Sequence, residues 1–356
     1  MKKRERCPKS MSRRAFFQTA SRGALALGCF SIGLSEACKS EKPTEQVVEE
    51  KVIAKEKIRT IDMARVSTCS IALNHLSADK AFEIIAAAGH KKVDPHEKVH
   101  LLIFEDLVDP VELKATAEKH GLQIANLATY PGGGLYGREF MYSFHDWKVP
   151  YPERYTSTGF ASDDPEELKT ELEQVKKTID LAAFLGARSI RVFPGDDKPE
   201  SLDKMVPWFK RAAEYAAEKN VYMAYENEGT KGEVIVGTPD LCVELAEKVG
   251  SPYFGVLYEP GNLTFGGTDY RKALEIMKYH VVHTHFKDCA PVGEGYEMHH
   301  FGEGIIDFPW IVEQLNSVDY EGDFSLEYEM HDPEPEIGVK KFHDDFAALF
   351  DEVINM

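Results

Sequence analysis

Hydrophobic positions follow two alternating spacings from about residue 64 onward. Amphipathic stretches with a helical period of about 3.6 residues end in Gly or Asn, and a short β-branched or aromatic run follows each of them. Residues 202–219 form one such stretch, which ends at Asn220 and is followed by the run 221–225. Helix starts are marked too, since Asp164 and Pro165 supply an N-cap acid and a first-turn proline. The pattern predicts helices and strands in strict alternation.

This alternation predicts an α/β fold of the (β/α)8 TIM barrel type. Strand and helix signals recur about eight times over roughly 290 residues, which matches a barrel of about 250 residues plus insertions. A doubly wound open sheet would usually carry a glycine-rich phosphate turn after its first strand. The first predicted strand, residues 65–73, is instead followed by Asn74 and His75. We therefore expect one barrel over residues 64–356.

Residues 131–163 interrupt this rhythm, because they are too long for an ordinary strand-to-helix loop. Three consecutive glycines are followed by aromatic residues that include Tyr136 and Trp147. The insertion either packs as a satellite cluster on the barrel or on a neighbouring subunit, or forms a lid over its mouth. As a lid, Tyr136 and Trp147 would contact substrate, since aromatic faces pack against the apolar faces of sugar rings.

Charge is distributed unevenly along the chain. Residues 1–37 carry a net charge of +6, whereas the whole chain carries −18, which leaves −24 for the remainder. The strongly negative residues 38–356 would repel a phosphate backbone, so we expect no nucleic-acid partner. The predicted barrel, residues 64–356, has only Cys69, Cys242 and Cys289, which are too few and too scattered for a disulfide framework. The oligomeric state is left open, and a homo-oligomer is compatible with the sequence.

The first 37 residues resemble an export signal. Arg13 and Arg14 precede the apolar run 23–34, as in a twin-arginine signal peptide. The run is shorter than the roughly 20 apolar residues that span a bilayer. A basic disordered tail is the alternative. We expect export by the twin-arginine route, which carries folded proteins and so allows a metal to be loaded beforehand.

Residues 38–63 are predicted to be a polar linker, because Lys and Glu predominate in them. Cleavage after residue 37 would expose Cys38 for attachment of a lipid. Lipid-attachment signals prefer Leu three residues before the cysteine, and Ser35 stands there. A soluble periplasmic form and a membrane-anchored lipoprotein therefore both stay open.

Four polar stretches end four of the later predicted strands. Three of them offer the carboxylates Glu226, Glu259 and Glu327, and the fourth offers His283 and His285. The carboxyl ends of barrel strands meet at one face, where three carboxylates would repel one another. A divalent cation removes that conflict, and three carboxylates with one imidazole suit Mn²⁺, Mg²⁺ or Co²⁺, and Zn²⁺ less well. His283 and His285 point to the same side of a strand, and only one of them is needed as the imidazole ligand.

Five short motifs lie at and after the later strand ends. They are Glu226-Asn227, Glu259-Pro260-Gly261-Asn262, His285-Phe286-Lys287-Asp288, Gly302-Glu303-Gly304 with Asp307-Phe308, and Leu326-Glu327-Tyr328-Glu329. With these motifs, residues 64–350 resemble the xylose isomerase-like TIM barrels of the sugar phosphate isomerase/epimerase superfamily. Two residues depart from the family pattern: Glu259 occupies a position where the family usually has Asp, and Glu228 one where His is frequent.

The resemblance implies chemistry at a carbon beside a carbonyl, with one divalent metal bound by Glu226, Glu259, His285 and Glu327. Glu226 and Glu327 would lie on opposite sides of that carbon. One would remove a proton to give an enediolate and the other would return it, which epimerises or isomerises the sugar. Lys287 would act as an acid or steady a substrate oxygen.

Asn262, His283 and Lys287 are the remaining predicted substrate contacts. His283 is expected to support the ligand His285, and Asp288 to pair with Lys287 or with the loop. Export favours a free sugar, an oxidised sugar or a glycoside over a sugar phosphate, because sugar phosphates are mostly cytoplasmic.

Three other functions are compatible with parts of this pattern. A leaving group next to the enediolate would make the enzyme a lyase or dehydratase of keto-sugars or keto-glycosides. A non-catalytic, exported sugar-binding lipoprotein would use the same pocket without turnover. An endonuclease-like repair barrel would share the architecture, but the negative charge of this chain after residue 37 and its predicted export signal argue against that function.

Overall fold

The computed structural model describes residues 61–101, 109–133, 159–193, 199–227, 229–231, 234–330 and 332–354. The predicted leader at 1–37, Cys38 and almost all of the linker lie outside this range, as do Tyr136, Trp147 and Glu228. The predictions for them stay predictions. Among the helices that are described, none has the length and apolar character needed to cross a bilayer.

Among the described residues, nine parallel strand segments form a single sheet that curves into a barrel. Their bounds are β1 Val66–Cys69, β2 Lys92–Asp94, β3 Gln123–Ile124, β4 Asn126–Leu127, β5 Ser189–Val192, β6 Tyr222–Glu226, β9 Phe254–Tyr258, β10 Val281–Phe286 and β13 Phe324–Leu326. In spatial order, these segments run β3-β2-β1-β13-β10-β9-β6-β5-β4. Two antiparallel hairpins within the same ranges form separate small sheets: β7 Gly229–Lys231 with β8 Val234–Val236, and β11 Asp288–Val292 with β12 Gly295–His299.

The two ends of the sheet, β3 and β4, are halves of one strand interrupted at Ala125. The Ala125 amide donates to Val93 O at 3.0 Å, and the Arg188 amide donates to Ala125 O at 3.0 Å. The interrupted strand is therefore hydrogen-bonded on both sides, which closes the barrel with eight strand positions. The predicted (β/α)8 fold is confirmed. The first strand is shorter than predicted, because the chain turns into a 3₁₀ helix at Ser70.

A helix follows each strand position, and helix ends obey local rules. Asp164 accepts a hydrogen bond from the Glu166 amide at the start of one helix, and Gly186 ends it with φ of 80°. The bounds are α1 Ala78–Ala87, α2 Pro110–Lys119, α3 Pro165–Leu185, α4 Pro199–Lys219, α5 Pro239–Val249, α6 Pro260–Phe265, α7 Tyr270–Met277, α8 Phe308–Asn316 and α9 Pro335–Ile354.

A bulge in β10 sets the direction of the histidines. Val281 pairs with Val256 and His283 pairs with Leu257, so Val282 is an extra residue on its strand. Val282 packs with Ala224 and Leu257 in a small apolar cluster that is separate from the main core between strands and helices. His283 and His285 follow at alternate positions, so both point to the same side of the strand.

Candidate metal centre and active site

Four buried side chains from β2, β6, β10 and the end of β13 converge at the carboxyl face of the barrel. Asp94 ends β2, Glu226 ends β6, His285 is the penultimate residue of β10, and Glu327 follows β13. Asp94, Glu226 and His285 are fully buried, and Glu327 is 5 % exposed. Because parallel strands end at a common face, residues far apart in sequence meet there. Three of the four are sequence-predicted site residues, and Asp94 is new.

The imidazole of His285 lies at the centre of this group. Its Nδ1 is 3.0 Å from Glu226 Oε1 and 3.5 Å from Glu327 Oε1. On the other side of the ring, its Nε2 lies 3.4 Å from Asp94 Oδ2. Burial opposes a charged imidazolium, but the carboxylates of Glu327 and Glu226 outweigh it and raise the pKa of His285 well above its usual value.

The three atoms His285 Nδ1, Glu226 Oε1 and Glu327 Oε1 have the spacing that a divalent cation requires. Ligand atoms bound at about 2.1 Å and at right angles lie about 3 Å apart. The observed separations from Nδ1 are 3.0 and 3.5 Å. One ligand atom from each of the three residues lies within 4.8 Å of the others, and all three residues are buried. A cation would replace a proton between an imidazole and two carboxylates, so the donor set fits one.

Glu259 stands beside this group rather than within it. Its Oε1 caps α6 by accepting from the Gly261 amide at 2.6 Å. Its Oε2 is buried and makes no hydrogen bond among the residues that the structure describes. Burial raises the pKa of Glu259 well above its usual value, with Lys287 opposing the shift and Glu327 and Glu226 adding to it. The buried Oε2 is a suitable fourth donor, and the predicted ligand role of Glu259 stays a prediction.

The close packing around Glu259 depends on Gly261. A Cβ at position 261 would lie 2.9 Å from Glu259 Oε1 and 2.9 Å from Lys287 O. Asn227 fixes the backbone of Glu259 from the other side, donating to its carbonyl at 2.7 Å and accepting from its amide at 3.0 Å. Asn262, a predicted substrate contact, is half-buried on α6. Asn227 and Gly261, from the Glu-Asn and Pro-Gly-Asn motifs, thus fix the backbone at Glu259, where α6 begins.

Arg191 at the end of β5 was not predicted from the sequence. It is 2 % exposed, and its Nη1 donates to Glu226 Oε2 at 2.6 Å. Its guanidinium lies 4.2 Å from the ring centroid of Tyr130, and its Nε donates to Thr129 O at 3.2 Å. These contacts hold one oxygen of Glu226, which directs the other towards His285. In the sequence, Arg191 is marked only as a charged residue within the mainly apolar run 190–193.

Lys287 bridges two carboxylates of the Leu326-Glu327-Tyr328-Glu329 motif. Its Nζ lies 2.9 Å from Glu327 Oε2 and donates to Glu329 Oε2 at 2.5 Å. Burial disfavours its charge, but Glu327 and Glu329 outweigh that effect and raise its pKa well above the usual value. Burial alone would raise the pKa of Glu327. The charges of Lys287 and His285 outweigh burial, so the pKa of Glu327 is lowered. Lys287 is therefore a charged donor next to Glu327.

His283 lies two residues before His285 on β10 and contacts Asp94. The distance from His283 Nε2 to Asp94 Oδ2 is 2.7 Å, and His283 is 1 % exposed. Burial raises the pKa of Asp94, but His283 and His285 reverse that shift, so the net pKa of Asp94 is lowered. The predicted support of His285 by His283 fits this arrangement, whereas its predicted substrate contact stays a prediction.

Asp288 organises the loop that follows β10. Its Oδ2 accepts from the amides of Gly302 at 2.9 Å and Gly304 at 3.0 Å, and its Oδ1 accepts from those of Cys289 and Ile306. A Cβ on Gly304 would lie 2.2 Å from Asp288 Oδ1. Of the two partners expected for Asp288, the structure gives it the loop, and the glycine motif provides the close approach.

A family model for xylose isomerase-like TIM barrel proteins matches residues 80–342. The chain therefore belongs to this family. The predicted resemblance is confirmed at this level.

Among curated relatives, SgbU of Escherichia coli (strain K12), provisionally named an L-ribulose-5-phosphate 3-epimerase, is 29% identical over 178 residues. The match covers 47% of this chain and 61% of SgbU. An inosose dehydratase of Geobacillus thermodenitrificans is 28% identical over 153 residues, 38% of this chain and 50% of the dehydratase. The chain thus spans only part of the length of these relatives, which include both sugar epimerases and dehydratases.

Solved structures share the fold. D-allulose 3-epimerase from Methylomonas sp. superposes with a TM-score of 0.59 at 15% identity, covering 80% of this chain and 97% of the epimerase. A structure of it in complex with D-allulose is also known. A xylose isomerase-like TIM barrel protein from Mycobacterium smegmatis in complex with magnesium gives 0.57 at 15% identity, over 77% and 88% of the two chains. At such identities the likeness concerns the fold.

Proposed function

We propose that this protein is a divalent-metal-dependent sugar isomerase or epimerase that transfers a proton at a carbon beside a carbonyl. The observation that carries the proposal is the position of Glu226 Oε1 and Glu327 Oε1 at 3.0 and 3.5 Å from one imidazole nitrogen, His285 Nδ1. Two carboxylates at the carboxyl face of a barrel, next to a shared ligand atom, are what reversible proton transfer requires.

Glu226, His285 and Glu327 would hold the cation, with Glu259 Oε2 as the fourth donor. When bound, a divalent cation supplies electrostatic stabilisation to oxygens that become negative as a proton leaves the neighbouring carbon. The mixed oxygen and nitrogen donors favour Mn²⁺, Mg²⁺ or Co²⁺. Glu226 and Glu327 carry out the proton transfer: one of them removes the proton from carbon and the other returns it.

The two carboxylates have different surroundings, which suits them to different tasks. Glu226 shares its second oxygen with the buried guanidinium of Arg191 at 2.6 Å, which stays charged at all relevant pH values. Glu327 shares its second oxygen with Lys287, whose ammonium is kept charged by Glu327 and Glu329 and is a proton donor for a substrate oxygen that becomes strongly basic. Glu327 with Lys287 therefore forms the side of the site on which a proton can be relayed.

The same Lys287 supports a second candidate, a lyase or dehydratase. In an elimination, the proton taken from carbon is matched by a proton given to the departing hydroxyl or glycosyl oxygen. Lys287 Nζ, 2.9 Å from Glu327 Oε2, is a donor for that second step. The dehydratase among the relatives agrees with this candidate. A sugar-binding lipoprotein without turnover is the third candidate, and it predicts binding without exchange.

Export through residues 1–37 is part of the proposal, either as a soluble periplasmic protein or with a lipid attached at Cys38. Export favours a free or oxidised sugar or a glycoside as substrate. The test is incubation of the Mn²⁺-loaded protein in deuterated water with a panel of keto-sugars and keto-glycosides, followed by NMR. Epimerisation gives deuterium at the carbon beside the carbonyl with retention of all oxygens. Elimination gives an unsaturated product. Binding without either result would favour the sugar-binding protein.

A further inference from the structure

Asp94 is the buried carboxylate of the site that none of the matched motifs contains. It is fully buried at the end of β2, 189 residues away from His283 in the sequence. It faces two imidazoles with a single oxygen, since Oδ2 lies 2.7 Å from His283 Nε2 and 3.4 Å from His285 Nε2. The distance to His283 is that of a short charge-assisted hydrogen bond, and the distance to His285 is that of a looser ion pair.

The two nitrogens of His285 have separate surroundings. Nδ1 faces the two glutamates Glu226 and Glu327, whereas Nε2 faces Asp94. Among the residues that the structure describes, Nε2 has no well-formed hydrogen bond and is shielded from solvent. If Nδ1 binds a cation, it must present a lone pair, and the ring proton must then reside on Nε2. The nearest carboxylate to that proton is Asp94.

We infer that Asp94 is a positioning residue, which holds the Nε2–H tautomer of His285 so that Nδ1 is available to the cation, and that His283 clamps Asp94 in place. A carboxylate that accepts from the second nitrogen of a ligating histidine fixes the ring orientation and increases its basicity. The inference rests on the proposed metal-dependent function, because it assigns a role towards the same cation.

The clamp explains why a second histidine is present on β10. His283 donates from Nε2 to Asp94 Oδ2, and both side chains are at most 1 % exposed. A buried aspartate with one fixed hydrogen bond cannot rotate away from His285 without breaking that bond. His283 therefore acts through Asp94 and not by contact with the cation.

The first experiment measures Mn²⁺ affinity of the metal-free protein by calorimetry, comparing wild type with Asp94→Asn. Loss of a carboxylate behind a ligating histidine lowers metal affinity about 10- to 100-fold, and that range is expected here. The matched control is Asp323→Asn, which also removes a buried carboxylate, one that pairs with Lys92 and accepts from its Nζ at 2.5 Å. Among the described residues, the side chain of Asp323 pairs with Lys92 and not with Asp94, Glu226, His285 or Glu327, so its variant is expected to keep wild-type affinity.

The second readout is the tautomer of His285, observed by NMR of protein labelled with ¹⁵N-histidine. In the Mg²⁺-loaded wild type, we expect His285 to carry its proton on Nε2. In Asp94→Asn, that signal should shift or give way to exchange between tautomers. A merely structural role for Asp94 would leave the tautomer unchanged.

If Asp94→Asn does not fold, the clamp is tested with His283→Gln and His283→Leu. The amide of glutamine can donate to Asp94, so His283→Gln should keep metal affinity within about threefold, whereas His283→Leu should weaken it by an order of magnitude. Equal affinities in these two variants, or equal affinity of Asp94→Asn and wild type, would overturn the role of Asp94 and leave the proposed function standing.

Two further outcomes separate this inference from the proposed function. Uptake of two ions by the wild type and one by Asp94→Asn would make Asp94 a ligand of a second site, since Asp94, His283 and His285 also have ligand atoms within 4.8 Å of one another. That result would overturn the positioning role. Absence of any Mn²⁺ or Mg²⁺ binding by the wild type would overturn the metal-dependent function and this role together.

Discussion

At the scale of single residues, identical side chains differ because their second oxygens have different partners. Glu226 Oε2 accepts from the fully buried Arg191, and Glu327 Oε2 contacts Lys287 near the barrel mouth. Glu259 instead uses one oxygen to cap a helix, and its other oxygen makes no hydrogen bond within the described ranges. Three glutamates predicted as ligands of one metal therefore have three different environments.

Glu327→Gln is expected to reduce deuterium exchange into a keto-sugar substrate by about 10²- to 10⁴-fold, because it removes a proton acceptor and keeps the side chain's shape. Exchange is measured by NMR at saturating Mn²⁺, so that weaker metal binding does not limit it. Glu329→Gln is the control, because it removes the other carboxylate that Lys287 contacts, at 2.5 Å. Glu329 is not part of the group Glu226, His285 and Glu327. Wild-type exchange by Glu327→Gln would contradict the assigned role.

Arg191→Met is expected to lower the free energy of unfolding by about 3–5 kcal/mol, because it leaves the Oε2 oxygen of the buried Glu226 carboxylate without its guanidinium partner. Urea denaturation of the metal-free protein measures the change. The double variant Arg191→Met with Glu226→Gln also removes the carboxylate charge that Arg191 neutralises and should recover much of the loss. A loss below about 1 kcal/mol for the single variant would show that the ion pair contributes little.

At the scale of secondary structure elements, the final helix α9 packs over the segment that leads into β2. His90 in this segment is buried, and its ring lies 4.8 Å from that of His343 on α9 in an edge-to-face contact. Gly89 permits the close approach, since a Cβ there would lie 2.7 Å from His343 Cε1. Burial, with a smaller contribution from His343, lowers the pKa of His90 from 6.5 to about 3. The packing of α9 thus requires a neutral histidine.

Acidification is therefore expected to loosen this packing. The unfolded chain takes up a proton at His90 below pH 6.5, whereas the folded chain does so only near pH 3, so stability is lost as the pH falls through that window. Between pH 7 and pH 5 the loss from this group is about 2 kcal/mol. The free energy of unfolding of His90→Gln should fall less over this range than that of wild type. Parallel decreases in the two proteins would refute the assignment.

At the scale of the whole molecule, the site exists only when the barrel is closed. Its residues come from β2, β6, β10 and the end of β13, and β13 pairs with both β10 and β1. Val66 at the start of the barrel lies opposite Phe324 near its end. A cation bound to Glu226, His285 and Glu327 would join strands from distant parts of the chain, so that metal binding and global folding are coupled.

Metal binding should therefore raise the thermal stability of the whole barrel. A free Mn²⁺ concentration 100 times the dissociation constant adds about 2.7 kcal/mol to the free energy of unfolding. Calorimetry with and without Mn²⁺, after treatment with a chelator, measures the shift in Tm. His285→Gln should show little shift under the same conditions. Equal shifts in both proteins would place the ion elsewhere.

The sequence was sufficient for the barrel and for the face on which the site lies. Strand and helix periods are local properties, and the end of a buried strand is visible as a polar residue after an apolar run, as at Glu226. The extent of β1 was wrong, because the apolar run 65–73 also suits the 3₁₀ helix Ser70–Leu73. Short apolar runs do not distinguish these conformations.

By itself, the sequence determined the order of the elements and the carboxylates, histidines and lysine that the strand ends bring to one face, because these follow from periodicity and barrel topology. Only the tertiary structure decided which atoms meet. It placed Arg191 on Glu226, Asp94 behind His285, Lys287 between two glutamates, and Asp288 in the loop. A hydrogen bond between residues 35 or 189 positions apart depends on angles and distances across the barrel, and these leave no periodic signal in the chain.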